Sequence, residues 1–353
     1  MTHYSEHPLY REDIRAVASL PLPWEKLCGR TVLLSGGSGL IGSFLVDVLM
    51  ERNRTHALNC RVLALGRNAT SAQTRFQAYW NDPLFAFLAH DIQHPLTQDF
   101  PDNAYLLHLA SNTHPVAYAT DPIGTIATNI LGTQNMLEAA VRCHATRFAF
   151  ASSNEIYGEN RGDTELFDES YCGYIDCNTL RAGYPESKRC GEALCQAYLK
   201  QNGLDIVIPR LTRSYGPTLL ASDTKAMSQF LRKGIAREDI VLKSAGTQFY
   251  SYTYVADAVS GLLTVLLCGE TGQAYNIADQ ASDITLRDLA SIIAENAGTK
   301  VVFDLPDAVE AAGYSKATKA RLNPAKLQAL GWKAQYDIRR GIARTLEILR
   351  STT

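Results

Sequence analysis

The chain has 353 residues, 46% of them hydrophobic, and 34 Lys plus Arg against 36 Asp plus Glu give a formal net charge of −2. One hydrophobic core stops growing at about 250–300 residues, so a large domain with a smaller lobe is expected. The near-balanced charge supplies no basic field for phosphate backbones or anionic lipid, which argues against nucleic acid and membrane partners and leaves small molecules.

Residues 1–29 form an N-terminal extension of mixed charge with no apolar run of signal-peptide length, and its purpose is not legible in the sequence. Nowhere do about 18 apolar residues follow one another, so the chain is expected to be cytoplasmic. The eight cysteines are scattered without a CxxC pair, which suits a reducing compartment. Cys190 and Cys195 read as small buried hydrophobes rather than metal ligands, because no His or second pair stands at zinc spacing; no metal is expected.

From residue 31 onward, apolar β-rich runs at 31–35, 61–65, 105–109, 147–151, 205–209 and 274–278 alternate with helical spacing at 40–49, 123–141 and 184–200. Strands apolar throughout and separated by helices indicate a doubly wound parallel α/β sheet of Rossmann type, covered on both faces. It is expected over 30–210. Residues 211–353 change texture, with helices expected at 224–235, 255–268, 285–296 and 337–348, and read mainly as a smaller substrate-binding lobe from which the strand near 274–278 returns to the main sheet.

The first strand runs into Ser35-Gly-Gly-Ser-Gly39-Leu-Ile-Gly42, glycines three apart opening a helix. Such glycines permit a tight turn, backbone approach to a pyrophosphate and close helix-strand packing, so Gly36, Gly39, Leu40, Ile41 and Gly42 are expected to bind a dinucleotide. Asp91-Ile92 follows an apolar run where a carboxylate would accept from an adenine amino group, a turn or helix-cap aspartate being the alternative. Leu109-Ala110-Ser111 ends the next strand beside the expected cofactor path. The second strand ends on Gly66-Arg67 with no acid to bind a ribose 2′-hydroxyl; Arg67 would pair with a 2′-phosphate, so NADP is favoured over NAD unless Arg67 is a solvated loop charge.

Tyr184 and Lys188, four apart in Arg181-Ala-Gly-Tyr-Pro-Glu-Ser-Lys188, share one helix face. An ammonium near a phenol favours phenolate, making Tyr184 a candidate base and Lys188 a candidate ribose ligand.

Together these stretches, with His108-Leu-Ala-Ser111, Thr128-Asn-Ile-Leu-Gly-Thr133, Ser152-Ser-Asn-Glu-Ile-Tyr-Gly158, Arg210-Leu-Thr-Arg-Ser-Tyr-Gly-Pro217, Tyr252-Thr-Tyr-Val-Ala-Asp-Ala-Val259 and Ala274-Tyr-Asn-Ile-Ala278, resemble the extended short-chain dehydrogenase/reductases that act on nucleotide sugars, over about residues 30–350. The resemblance implies a Ser153, Tyr184, Lys188 triad, a tightly bound, recycled nicotinamide cofactor, a 4-keto-sugar intermediate and a homodimer joined through the helices near 123–141 and 184–200. It implies that 4,6-dehydratases carry an Asp-Glu pair where Asn154-Glu155 stands, that decarboxylases of the UDP-glucuronate type keep the glutamate behind a neutral polar residue, and that simple 4-epimerases usually lack it. Decarboxylation is therefore the first expectation, with Glu155 acting after the first hydride transfer. Dehydratase, epimerase, NADPH-consuming carbonyl reductase and non-catalytic dinucleotide sensor are the alternatives, and Glu155 also reads as a structural strand-end carboxylate. Two departures fall where the substrate diphosphate is expected: Arg213 replaces an asparagine, and Tyr250 replaces an arginine.

Overall fold

The computed structural model describes residues 4–113, 118, 120–304 and 319–351. Its main sheet is parallel and ordered β11-β7-β5-β4-β1-β2-β3, where β1 is Thr31–Ser35, β2 Arg61–Gly66, β3 Phe85–Ala89, β4 Tyr105–His108, β5 Arg147–Phe150, β7 Ile206–Leu211 and β11 Ala274–Ile277; β6, Ser152–Ser153, extends alongside β7. This is the doubly wound arrangement expected from alternating apolar strands and helices. Strand β3 was not among the expected runs. It is an edge strand, and only its first residue, Phe85, is buried.

Alternate residues of each strand feed opposite layers. Leu33, Leu106, Phe148 and Ile206 pack with Met136, Leu137 and Cys195 of α4, Pro122–Arg142, and α5, Gly183–Asn202. Val32, Leu34, Leu107 and Val207 join the larger core that contains α1, Pro8–Ala18, α2, Leu40–His56, and α7, Val255–Cys268. The period of two along each strand requires this division, and both faces are dry. Helix α4 starts where Asp121 accepts the Gly124 N–H at 3.0 Å and Pro122 occupies the first turn.

Strand β1 lies between β2 and β4, so the chain reverses its winding direction there. Such a reversal opens a crevice at the carboxyl ends of the strands. Beside it stands a second sheet built on β10, Phe249–Tyr254. This strand pairs antiparallel with β12, Asp283–Thr285, and parallel with β8, Arg213–Tyr215, and β14, Lys319–Ala320. Thr218 crosses to α2, its hydroxyl donating to the Leu40 carbonyl at 2.8 Å.

The N-terminal segment is built into this framework. Helix α1 packs on α2, on α7 and on α10, Ile338–Arg350. The Tyr10 hydroxyl donates to Asp47 of α2 at 2.5 Å, and Arg75 of α3, Ala69–Arg75, pairs with the same carboxylate. One turn on, the fully buried Asp13 accepts from the Tyr254 hydroxyl at 2.6 Å and the Tyr336 hydroxyl at 2.7 Å, and pairs with Arg344 at 2.6 Å. Burial raises the Asp13 carboxyl above its usual range, and these hydrogen bonds and the guanidinium oppose the shift. Removing one partner of a buried ion pair costs about 3–5 kcal/mol. Asp13→Ala is expected to lose that much in equilibrium urea unfolding, and a change below about 1 kcal/mol would show that α1 is not a structural tie.

Candidate active site

The glycine turn and the end of β4 touch. Gly36 has φ +71°, and a Cβ there would lie 2.8 Å from the Ala110 amide nitrogen; a Cβ on Gly42 would lie 2.3 Å from the Gly36 carbonyl oxygen. Side chains are therefore excluded from both places. Gly39 caps the N-terminus of α2 without a side-chain acceptor, which leaves the first-turn N–H groups of a 17-residue helix facing the crevice. Underneath, the Ser35 hydroxyl binds His108 Nδ1 at 2.7 Å and accepts the Ala110 N–H at 3.2 Å. His108 is fully buried, and burial pushes it down to about 3, so it stays neutral.

The remaining expected cofactor residues line the same sheet edge. Leu40 and Ile41 begin α2. Arg67 is exposed just past β2. Asp91 accepts the Gln93 N–H at 3.0 Å in a turn beyond β3, and the Ile92 carbonyl is held by Asn135 of α4 at 2.9 Å. Leu109 and Ala110 follow β4, and the Ser111 hydroxyl donates to Asn129 at 2.6 Å. Asn129 in turn donates to Ser187 at 2.8 Å, and Ser187 to the Tyr184 carbonyl at 2.8 Å. This buried relay fixes the start of α5 against the strand end. Asn129 and Ser187 have no role assigned from the sequence, although both lie in stretches that carry the family resemblance. The open turn, the uncapped helix and the buried polar groups together fit a dinucleotide.

Tyr184 and Lys188 enter from α5 and Ser153 from β6. Burial raises the Tyr184 phenol well above its ordinary value and the charge of Glu155 adds to this, while hydrogen bonding to Ser153 and Ser111 and the charge of Arg181 act the other way. Lys188 acts elsewhere. Its ammonium donates to the Ala151 carbonyl at 2.8 Å and lies 4.9 Å from the Phe150 ring centre, because the end of β5 passes directly beneath it. Burial lowers Lys188 to about 8.

Ser153 Oγ accepts the Glu155 N–H at 3.2 Å and so turns the chain after β6. Glu155 then reaches Arg181, 2.9 Å away, and Asn154 is buried beside it. The Arg181 guanidinium lies 4.9 Å over Tyr118, whose ring stacks on Tyr184 at 5.1 Å. Neither the Arg181 contact nor Tyr118 has a local signature in the sequence. On the second sheet the Arg213 guanidinium lies over the Tyr250 ring, 3.7 Å from its centre. The two departures from the family pattern thus form one unit. Burial raises the Tyr250 phenol, Arg213 and Arg181 lower it and Glu155 raises it, so this unit shares its surroundings with Glu155.

Residues 32–278 match the NAD dependent epimerase/dehydratase family. The chain is 32% identical over 328 residues to UDP-glucuronic acid decarboxylase 3 of Arabidopsis thaliana, covering 91% of this chain and 90% of the plant protein. It is 29% identical over 322 residues to UDP-glucuronic acid decarboxylase 1 of Xenopus tropicalis, covering 91% and 72%. The fold is similar to UDP-glucose 4-epimerase of Thermotoga maritima, with a TM-score of 0.78 at 22% identity over 91% of this chain and 99% of that one. It is also similar to dTDP-glucose 4,6-dehydratase of Streptomyces venezuelae with NAD bound, with a TM-score of 0.77 at 24% identity over 91% and 97%. With its glycine turn, strand order and matched span, the chain belongs to the NAD dependent epimerase/dehydratase family.

Proposed function

We propose that the protein decarboxylates a nucleotide-linked sugar acid of the UDP-glucuronate type through a 4-keto intermediate, recycling one nicotinamide dinucleotide in each turnover. The observation that carries this reading is Glu155 held at Arg181 beside Tyr184, with the neutral, buried Asn154 next to it. Loss of water from a sugar needs an acid for the departing hydroxyl, and Asn154 has no proton to give. Overall similarity to UDP-glucuronic acid decarboxylases across 91% of the chain supports the same choice.

The bound dinucleotide supplies a hydride acceptor and, later in the cycle, the donor. Ser153 holds the C4 hydroxyl, and Tyr184 takes its proton as that carbon is oxidised. The C6 carboxylate is then β to the new ketone and leaves as CO2, its bonding electrons passing into the C4–C5 enolate. Glu155 manages the proton that returns to C5, and Tyr184 gives its proton back when C4 is reduced. Burial alone keeps Tyr184 protonated, so the phenol becomes a base only with added positive charge in the loaded site.

No acid ends β2 and Arg67 is exposed there, which supports NADP; the family description and the dehydratase structure name NAD. Ile123 is 80% and Leu131 46% exposed on α4, which supports association with a second copy of this chain. NAD among the nucleotides released on denaturation would remove the Arg67 assignment, and sedimentation of the holoenzyme as a monomer would remove the dimer.

With UDP-glucuronate, the expected products are CO2 and a pentose nucleotide without net nicotinamide consumption. Glu155→Gln is expected to slow product release by about 10²–10⁴-fold while reduced nicotinamide accumulates, the range for a lost acid-base group. Unchanged turnover would assign Glu155 a structural role. Lys188 has a separate signature. Its folded value of about 8 lies below the ordinary 10.5, so the cost of burying its charge is full below about 8 and gone above 10.5. In urea unfolding of the cofactor-free protein, Lys188→Met should therefore gain on wild type, by on the order of 3 kcal/mol, as pH falls through that window. The same variant should lose turnover; a pH-independent stability difference would contradict the buried charge.

A further inference from the structure

The geometry points to Arg213 as the residue that selects a carboxylate at sugar C6, not as a replacement ligand for the diphosphate. The assignment rests on the sugar-acid reading above. Arg213 pairs in register with Tyr252, yet its guanidinium carbon lies over the Tyr250 ring, 3.7 Å from the ring centre. Stacking of this kind fixes the plane of the fork before any ligand arrives. Its Nη1 is buried and has no hydrogen-bond partner among the described residues. A donor left in that state costs free energy, so an acceptor is expected in the working complex.

Charge and position name that acceptor. Glu155 and Arg181 pair with each other at 2.9 Å, whereas Arg213 forms no ion pair among the described residues. Ser153 of β6 pairs in register with Leu211 of β7, and Glu155 and Arg213 each stand two residues past that pair on the two parallel chains. Arg213 therefore belongs to the neighbourhood of the reacting C4 hydroxyl. In a hexuronic acid the carboxylate branches from C5, next to C4, while the diphosphate hangs from C1 on the far side of the ring. A cation grouped with Tyr184 and Glu155 faces the carboxylate edge. Being a ground-state contact that weakens as the carboxylate's charge moves into the C4–C5 enolate and neutral CO2 departs, it contributes to binding more than to the chemical step.

The test titrates purified holoenzyme with UDP-glucuronate, UDP-glucose and UDP, in wild type, Arg213→Gln and Arg213→Lys. One charge-assisted contact corresponds to about 10–100-fold in affinity. Wild type is expected to prefer UDP-glucuronate over UDP-glucose by at least the lower figure. Arg213→Gln should erase most of that preference with UDP and UDP-glucose changed less than about twofold, and should raise KM more than it lowers kcat. Arg213→Lys should fall between, keeping the charge without the fork. Equal weakening of all three ligands would make Arg213 a diphosphate ligand and overturn the assignment, as would no change in any of them. A thermal unfolding midpoint for each variant separates either result from misfolding. Wild type that prefers UDP-glucuronate but releases no CO2 would sink the decarboxylase reading and leave the role of Arg213 standing; wild type that binds none of the three removes both.

Discussion

The close passage of Gly36 against Ala110 is the constraint on which the site depends. Strands β1 and β4 are neighbours whose connections leave in opposite directions, so their carboxyl ends must part, and only a residue without Cβ lets the turn after β1 run that close to the chain leaving β4. The contact puts the open N-terminus of α2 over Ser111, and Ser111 reaches Tyr184 through Asn129 and Ser187. The glycine turn thus bears on the position of a side chain on a helix roughly 150 residues later in the sequence. The relay is built from neutral hydrogen bonds within a packed layer, which makes it stiff without adding charge.

Around this frame the protein keeps several ionisable groups in environments that oppose their charge. Lys188 has one carbonyl partner and one aromatic face for a buried ammonium, and Tyr184 has a phenol that burial keeps protonated. Neither arrangement favours folding. Both become useful when substrate and cofactor bring in charge, since a group poised by burial responds strongly to a neighbouring ion in a medium of low polarity. Asp13 is the contrasting case. It is equally buried, but two tyrosine hydroxyls and a guanidinium satisfy it, so it ties α1 to β10 and α10 and has no chemical task.

Much of the fold and part of the site can be read from the sequence because the signals are local. The strand, glycine turn and helix at 31–42 carry their own geometry, and Tyr184 with Lys188 follows from one helical turn. The N-terminal helix is harder. Tyr10, Ile14, Val17 and Ala18 have amphipathic spacing, but the partners that give Asp13 its meaning include Tyr336, 323 residues away in the chain. Glu155 was conspicuous as a costly carboxylate at a strand end; that its partner is Arg181, braced by Tyr118, depends on how α5 docks. Lys188 shares α5 with Tyr184, and its ammonium donates to the Ala151 carbonyl, a contact that the register of α5 over β5 decides.

Arg213 and Tyr250, the two departures from the pattern that the resemblance implies, compensate each other in space. Taken singly, each departure removes something: an arginine is lost from β10, and a small polar side chain is lost from β8. Parallel pairing of the two strands puts the changed positions within reach, and the guanidinium gained on β8 lies over the ring that replaced the one lost. The cation is retained near the reacting edge, but its anchor has changed. A guanidinium held over a ring, with an Nη1 unpartnered among the described residues, is restrained in direction, which suits a planar carboxylate better than the tetrahedral oxygens of a mobile diphosphate. In the proposed reading, substrate choice is thus carried by the second sheet, while the chemistry stays with the helix and strand ends of the first.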